Sequence, residues 1–228
     1  MDVVRQRVVL RGVVQGVGFR PHVAQVAARH PITCFCGNDA TSVFIEAQGT
    51  RDAVEAFITD VLATLPPLAH VLDRTDTSLP VSEEKGFSIA ASISNPGERT
   101  LIPPDVATCD ECLADMADPG NRRYQYPFTT CTNCGPRLSI IEDLPYDRPN
   151  TTMRVFPMCP ACETEYTTPT DRRFHAQPIS CPNCGPQLSM SIAAARALID
   201  AGRILAVKGI GGFHLMCDAT NEDAVSEL

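Results

Sequence analysis

The sequence predicts an α+β chain: a ferredoxin-like βαββαβ sandwich, then a duplicated cysteine module, then a short α/β segment. Three observations support this. Strand-like and helix-like apolar patterns alternate over residues 1–92. Four Cys-x-x-Cys pairs follow, from Cys109 to Cys184. Residues 191–228 then hold a helical pattern, a short apolar run and a glycine-rich turn.

Residues 3–14 alternate well enough for a strand, with Val4, Val8 and Leu10 apolar amid Arg5, Arg7 and Arg11. Pro21 suits the start of a helix, to which Val23, Val26 and Ala27 give an apolar face up to His30-Pro31. Residues 32–36 and 42–48 read as strands around a turn at Gly37-Asn38-Asp39. Cys34 and Cys36 alternate with Phe35 and read as small buried residues. A second helix spans 51–65 through Val54, Phe57, Ile58, Val61 and Leu62, and Pro66-Pro67 stops it. Short strands near 69–75 and 86–91 complete the sandwich. Residues 93–108 form a linker, marked by Asn95-Pro96-Gly97 and Pro103-Pro104.

The cysteine module covers residues 109–190. Its pairs are Cys109/Cys112, Cys131/Cys134, Cys159/Cys162 and Cys181/Cys184, and a shift of 50 superposes the two halves. Pro119 then falls on Pro169, Arg122-Arg123 on Arg172-Arg173, and Asn133-Cys134-Gly135-Pro136 on Asn183-Cys184-Gly185-Pro186. Four thiolates in two pairs per half are the ligand set of a closed tetrahedral zinc site, so two structural zincs are expected. Sequential pairing gives each repeat its own site; nested pairing, first pair with fourth, is the alternative. A disulfide framework belongs to secreted chains, and Arg5, Arg7 and Arg11 interrupt any signal-like apolar start. Four pairs in a duplication fit a thiol oxidoreductase poorly. With four cysteines per site, His175 is not needed as a ligand and falls to a supporting or interdomain role.

Charge narrows the function further. The formal net charge is −8, and two zinc–tetrathiolate sites would bring it to about −12. That sign opposes a life on phosphate backbones. The paired arginines still leave one rival reading, a zinc-stabilised protein- or nucleic-acid-binding module with no catalysis of its own. No apolar run approaches the ~20 residues of a membrane span, and abundant reduced cysteine points to the cytoplasm.

In the last segment a helix over 192–201 stops at Gly202, and a short buried strand over 204–207 leads into Gly209-Ile210-Gly211-Gly212. Thr220 or Asn221 is placed to cap another helix. So few residues cannot bury a core, and the chain is expected to stop inside a third domain. Lys208, between strand and glycine turn, is a candidate phosphate-holding residue or else a solvated strand end. His214 and Cys217 read as packing residues.

The chemistry-bearing stretch is Gln15-Gly16-Val17-Gly18-Phe19-Arg20, between first strand and first helix. Two glycines let successive N–H groups turn inward, and the helix adds its positive end, a cradle for an anion. Arg20 can fork two hydrogen bonds onto a phosphate. A dinucleotide fingerprint fails, because Pro21 occupies the third glycine position. The bland alternatives are a tight structural turn here and a turn asparagine at Asn38.

Val14-Gln15-Gly16-Val17-Gly18-Phe19-Arg20, with Asn38 downstream, resembles the acylphosphatases. The four cysteine pairs, Arg172-Arg173-Phe174-His175-Ala176-Gln177 and Val207-Lys208-Gly209-Ile210-Gly211-Gly212-Phe213-His214 are similar to the HypF carbamoyltransferases of [NiFe]-hydrogenase maturation. The resemblance implies an acylphosphatase-like domain (1–92), a tandem four-cysteine zinc-finger domain (109–190) and the start of a YrdC-like domain (191–228). It implies that carbamoyl phosphate is split at the first domain. The carbamoyl group would then be activated with ATP and passed to the C-terminal cysteine of the partner protein HypE. Carried over by position, Arg20 and the Gln15–Arg20 backbone would hold the phosphate, and Asn38 would orient the attacking water. Lys208 would stand at the entrance of the nucleotide site. One departure is clear: acylphosphatases usually have Gly-aromatic-Val-basic before the asparagine, where this chain has Cys34-Phe35-Cys36-Gly37.

Overall fold

The computed structural model describes residues 2–39, 41–83, 86–90, 92 and 101–228. The chain divides into two compact units, Met1–Gly185 and Pro186–Leu228.

The first unit opens with the sandwich. Strand β1 (Val3–Val13) is flanked by β3 (Ser42–Thr50) and β4 (His70–Leu79), both antiparallel to it. Strand β2 (Thr33–Asn38) pairs antiparallel with β3 and parallel with the short β5 (Phe87–Ile89), so the sheet order is β4-β1-β3-β2-β5. Val8 and Leu10 of β1 are fully buried, and helices α1 (Phe19–Ala27) and α2 (Arg51–Ala63) bring Val23, Val26, Val54, Phe57 and Val61 onto that face. These are the period-2 and period-3.6 apolar positions of the sequence. Thr50 caps α2 by accepting from the Ala53 N–H.

Several boundaries differ from expectation. Gly37 and Asn38 continue β2, opposite Phe44 and Val43, and do not form the turn. Asp39 moves the reversal onto itself: its carboxylate accepts from the N–H and hydroxyl groups of both Thr41 and Ser42. Strand β4 runs on to Leu79, beyond the expected Thr75. It is a polar edge strand whose residues are nearly all exposed, so no alternation marked its end. Ala91 and linker residues 93–100 lie outside the described residues. The rest of the expected linker is built into the fold: Val106 exchanges two backbone hydrogen bonds with Gly135, and Asp105 accepts from the N–H groups of Arg137 and Ser139.

The cysteine module packs on in the same unit. Its two halves begin with matching short helices, α3 (Asp110–Ala117) and α4 (Pro160–Thr167), entered at Cys109 and Cys159. Gln125 and His175, 50 residues apart, share φ 54° and donate their N–H groups to Met116 O and Tyr166 O. The duplication therefore holds at the level of single dihedrals.

In the second unit α5 (Ile192–Asp200) is capped by Ser191 and ends before Gly202 at φ 74°. Strand β6 (Leu205–Lys208) turns through the glycines into β7 (Phe213–Met216), and α6 (Glu222–Glu227) is capped by Asn221. The expected buried strand is not buried: Ala206, Val207 and Lys208 are exposed, because a two-stranded hairpin has no second layer to hide its faces. His214 is exposed as well, contrary to the packing role expected of it.

Candidate functional site

The loop from Gln15 to Arg20 is fixed from three directions. Gly16 (φ 69°) and Gly18 (φ 76°) take left-handed conformations, which glycine adopts without a Cβ clash. A Cβ on Gly16 would meet Pro103, Arg137 and Tyr146 at 3.2–3.4 Å. Gln15 is buried and ties strand ends together: its Nε2 donates to Asp39 O (2.6 Å) and Ser42 O (3.2 Å), and its Oε1 accepts from the Tyr146 N–H. Val17 and Phe19 are anchored in the core.

Arg20, on the first turn of α1, is only 9% exposed, and its Nη2 donates to Asp147 Oδ1 at 2.7 Å. Asn38, at the end of β2, is buried with its Oδ1 unpartnered. Both line one cleft with Gln15, Gly16 and Gly18 of the sandwich. Its opposite wall is the cysteine module: Thr132, Arg137, Tyr146, His175 and Gln177. The cleft has a volume of about 30 Å³, room for a water or two. In this cleft the Arg20 guanidinium is paired with the Asp147 carboxylate.

Sequence reasoning placed Gln15, Gly16, Val17, Gly18, Phe19, Arg20 and Asn38, and the fold brings them to one corner. It missed Arg137, Tyr146, Asp147 and Gln177. For Arg137 a signal existed: position 187 of the second repeat is Gln. The break has a structural reason, since Arg137 Nε donates to Gly16 O (2.9 Å), while its Nη groups bind the carbonyls of Thr132, Cys134 and Gly135. Tyr146 and Asp147 lie in the 24-residue stretch between the repeats, where no periodicity gave a warning.

The eight cysteines gather as two tetrads, Cys109/Cys112/Cys131/Cys134 and Cys159/Cys162/Cys181/Cys184, with all Sγ atoms of a tetrad within 4.8 Å of one another. The grouping is sequential, not nested. Sγ–Sγ distances are 3.5–3.8 Å, and a tetrahedron of thiolates about 2.3 Å from a zinc ion has edges of about 3.8 Å. The donor sets fit that metal.

The paired arginines cross between the two halves. Arg122 and Arg123 grip Glu165, and Arg122 donates to Cys162 Sγ (3.2 Å). Reciprocally, Arg172 and Arg173 grip Asp115, and Arg172 donates to Cys112 Sγ (3.0 Å). Arg123 Nε reaches Ser180 O, and Arg173 Nε reaches Thr130 O. All four residues are spent on this internal exchange, which removes the feature that favoured a nucleic-acid surface. Cys34 and Cys36 are core residues whose thiols are pushed up by burial, Cys36 to about 12, so neither is a nucleophile at neutral pH. Lys208 stands exposed in the second unit, at the hairpin end of β6, opposite Phe213.

An acylphosphatase module joined to a pair of four-cysteine fingers is the class these features define. The Acylphosphatase family model matches residues 6–89, the HypF finger model residues 108–141 and 158–191, and the model described as Telomere recombination (Sua5/YciO/YrdC) residues 197–228. The acylphosphatase of Ligilactobacillus salivarius is 32% identical over 84 residues, covering 93% of that protein and 36% of this chain. Carbamoyltransferase HypF of Rhodobacter capsulatus is 50% identical over 234 residues, covering 97% of this chain and 31% of that protein. HypF2 of Cupriavidus necator is 47% identical, covering 99% and 30%. A full-length HypF solved with phosphate and nucleotide bound superposes with a TM-score of 0.90 at 40% identity, over 99% of this chain and 31% of that one. The chain belongs to the HypF carbamoyltransferase family, and it spans about a third of the length of the relatives it matches.

Proposed function

We propose that the cleft at Arg20 hydrolyses carbamoyl phosphate by acylphosphatase chemistry. One observation carries the reading: the buried Arg20 guanidinium and the unpartnered Asn38 Oδ1 share a cleft with a backbone loop held open by two left-handed glycines. Arg20 and the loop N–H groups hold the phosphoryl oxygens and take up charge that develops there. Asn38 Oδ1 accepts a hydrogen bond from water and aims it at phosphorus. The P–O bond to the acyl group breaks, carbamate leaves with the electron pair, and the water's proton ends on phosphate or solvent. Because the leaving group is good, positioning and charge suffice and no protein nucleophile is needed.

The two tetrads would hold zinc as closed structural sites, with Arg122 and Arg172 neutralising thiolate charge from the neighbouring finger. Within a longer chain of this family, the product would feed ATP-dependent carbamoyl transfer to HypE, at a nucleotide site to which Lys208 contributes. The relative solved with nucleotide bound supports the ATP step. Reduced thiols fit a cytoplasmic setting, and among the described residues no helix is long and apolar enough to cross a membrane.

Phosphate release from carbamoyl phosphate by wild type, Arg20→Ala and Asn38→Ala tests the site. Loss of at least about a hundredfold in kcat is expected in each, the scale of removing one charge-stabilising or positioning group. Equal release from all three would overturn it.

A further inference from the structure

The polar side chains walling the cleft are almost all committed to protein partners. Gln15 is fully engaged with Asp39, Ser42 and Tyr146. Gln177 accepts from the Arg148 N–H and the Tyr166 hydroxyl, and its Nε2 donates to His175 O. Arg137 is spent on four carbonyls, and the hydroxyls of Tyr146 and Thr132 donate to Pro136 O and Arg172 O. Two buried atoms are left over, Asn38 Oδ1 and His175 Nδ1. Buried polar atoms are rarely left unpaired in folded proteins, and one that lines a cleft marks a place for a ligand atom. Asn38 has the attacking water, but His175 has no task in the chemistry above.

The fold does not require histidine there. Gln125 holds the same φ of 54° and the same backbone hydrogen bond in the first repeat, so the left-handed conformation belongs to the duplication. What differs is the setting. Gln125 is exposed and bonded to the Tyr124 hydroxyl, whereas His175 faces the cleft, packed edge-on to Phe174 (4.6 Å) and tilted against Tyr166 (4.9 Å). Those rings fix the imidazole plane. Burial, and next the positive charge of Arg20, push its pKa down to about 4, so the ring is neutral at working pH and one nitrogen carries a lone pair. Nδ1 is the ring nitrogen left buried without a partner, and a lone pair there is open to a ligand donor.

We propose that His175 Nδ1 accepts a hydrogen bond from the amino group of carbamoyl phosphate, so that the second finger selects the acyl group while the sandwich binds the phosphate. The inference rests on the acyl-phosphate reading of the cleft. Acetyl phosphate is nearly isosteric and carries a methyl group where the carbamoyl compound has NH₂. It would leave Nδ1 buried and unpaired, and a site built to bind an N–H discriminates strongly against the analogue that lacks it.

The test is kcat/KM for phosphate release from carbamoyl and acetyl phosphate, measured on wild type, His175→Phe and His175→Asn. Phe keeps an aromatic ring without the acceptor; Asn tolerates the left-handed backbone and places an oxygen near the position of Nδ1. The carbamoyl-to-acetyl ratio is independent of the active fraction, so partial misfolding does not move it. The ratio is expected to fall about tenfold to a hundredfold in His175→Phe and to be largely kept in His175→Asn. A ratio unchanged in His175→Phe, or lost equally in both variants, overturns the proposal while leaving the acyl-phosphate reading intact. No release from either substrate by the wild type overturns both.

Discussion

Glu165→Gln tests whether the crossed arginines hold the two fingers together. The Glu165 carboxylate is gripped by Arg123, which is 1% exposed, and by Arg122, at 2.6 and 2.7 Å. Burial alone would raise its pKa, yet the hydrogen bonds and charges of Arg123 and Arg122 bring it down to about 2 from an ordinary 4.5. A carboxyl held that far below its unfolded value contributes about 3 kcal/mol at neutral pH. The partly exposed Arg122 side of the cluster lowers that figure, and Gln keeps some of the hydrogen bonding, so about 2 kcal/mol is the expected loss. Because the folded pKa is the depressed one, this stability is complete above about pH 4.5 and fades as pH falls from there toward 2. Thiolate protonation also weakens metal binding in acid, which makes neutral pH the place to compare. The assay is urea unfolding of metal-loaded wild type and Glu165→Gln at about pH 7. A difference within about 0.5 kcal/mol, the size of an ordinary surface substitution, would show that the crossed pairs are incidental. Asp115→Asn, its counterpart 50 residues earlier, should act in the same direction, since Arg173 and Arg172 hold the Asp115 carboxyl below its usual range too.

Metal analysis of the purified chain should give about two zinc per chain, one for each four-thiolate set; a value of one or none would sink the twin-site reading. Asp147→Asn should tighten competitive inhibition by inorganic phosphate about threefold to tenfold, because it frees Arg20 from a partly buried carboxylate worth on the order of 1 kcal/mol. Weaker inhibition in that variant would mean that Asp147 orients Arg20 and does not compete for it.

The sandwich was legible because each element had its own period and stop signals: Val54, Phe57, Ile58 and Val61 at helical spacing, with Pro66-Pro67 to end the run. The fingers were legible because metal-ligand spacing is a stronger signal than any apolar pattern, and the repeat confirmed it residue by residue. The hairpin of the second unit was misread, because its strand β6 has a core-like sequence, Leu-Ala-Val, with nothing described to cover it. The turn after β2 was misplaced for a local reason: Asp39 captures four donors, a competition that a count of turn formers does not reveal.

Half of the cleft was invisible to sequence for a different reason. Division at the linker assigned the Gln15–Arg20 loop to one domain and the cysteines to another, and so treated the fingers as scaffold. Yet Arg137, three residues after Cys134, hydrogen-bonds the carbonyl of Gly16 on one side and the knuckle carbonyls on the other. The first cysteine tetrad and the Gln15–Arg20 loop are thus joined through a single buried guanidinium. Metal bound at the knuckle would order the carbonyls that fix the Arg137 rotamer reaching Gly16. A free acylphosphatase must hold that loop without a finger. This chain has an Arg where its own second repeat has Gln187, and the substitution occurs at the position in the repeat that touches the cradle. The duplication thus supplied two similar four-cysteine modules that have diverged: the first braces the Gln15–Arg20 loop through Arg137, while the second places His175 in the wall of the same cleft.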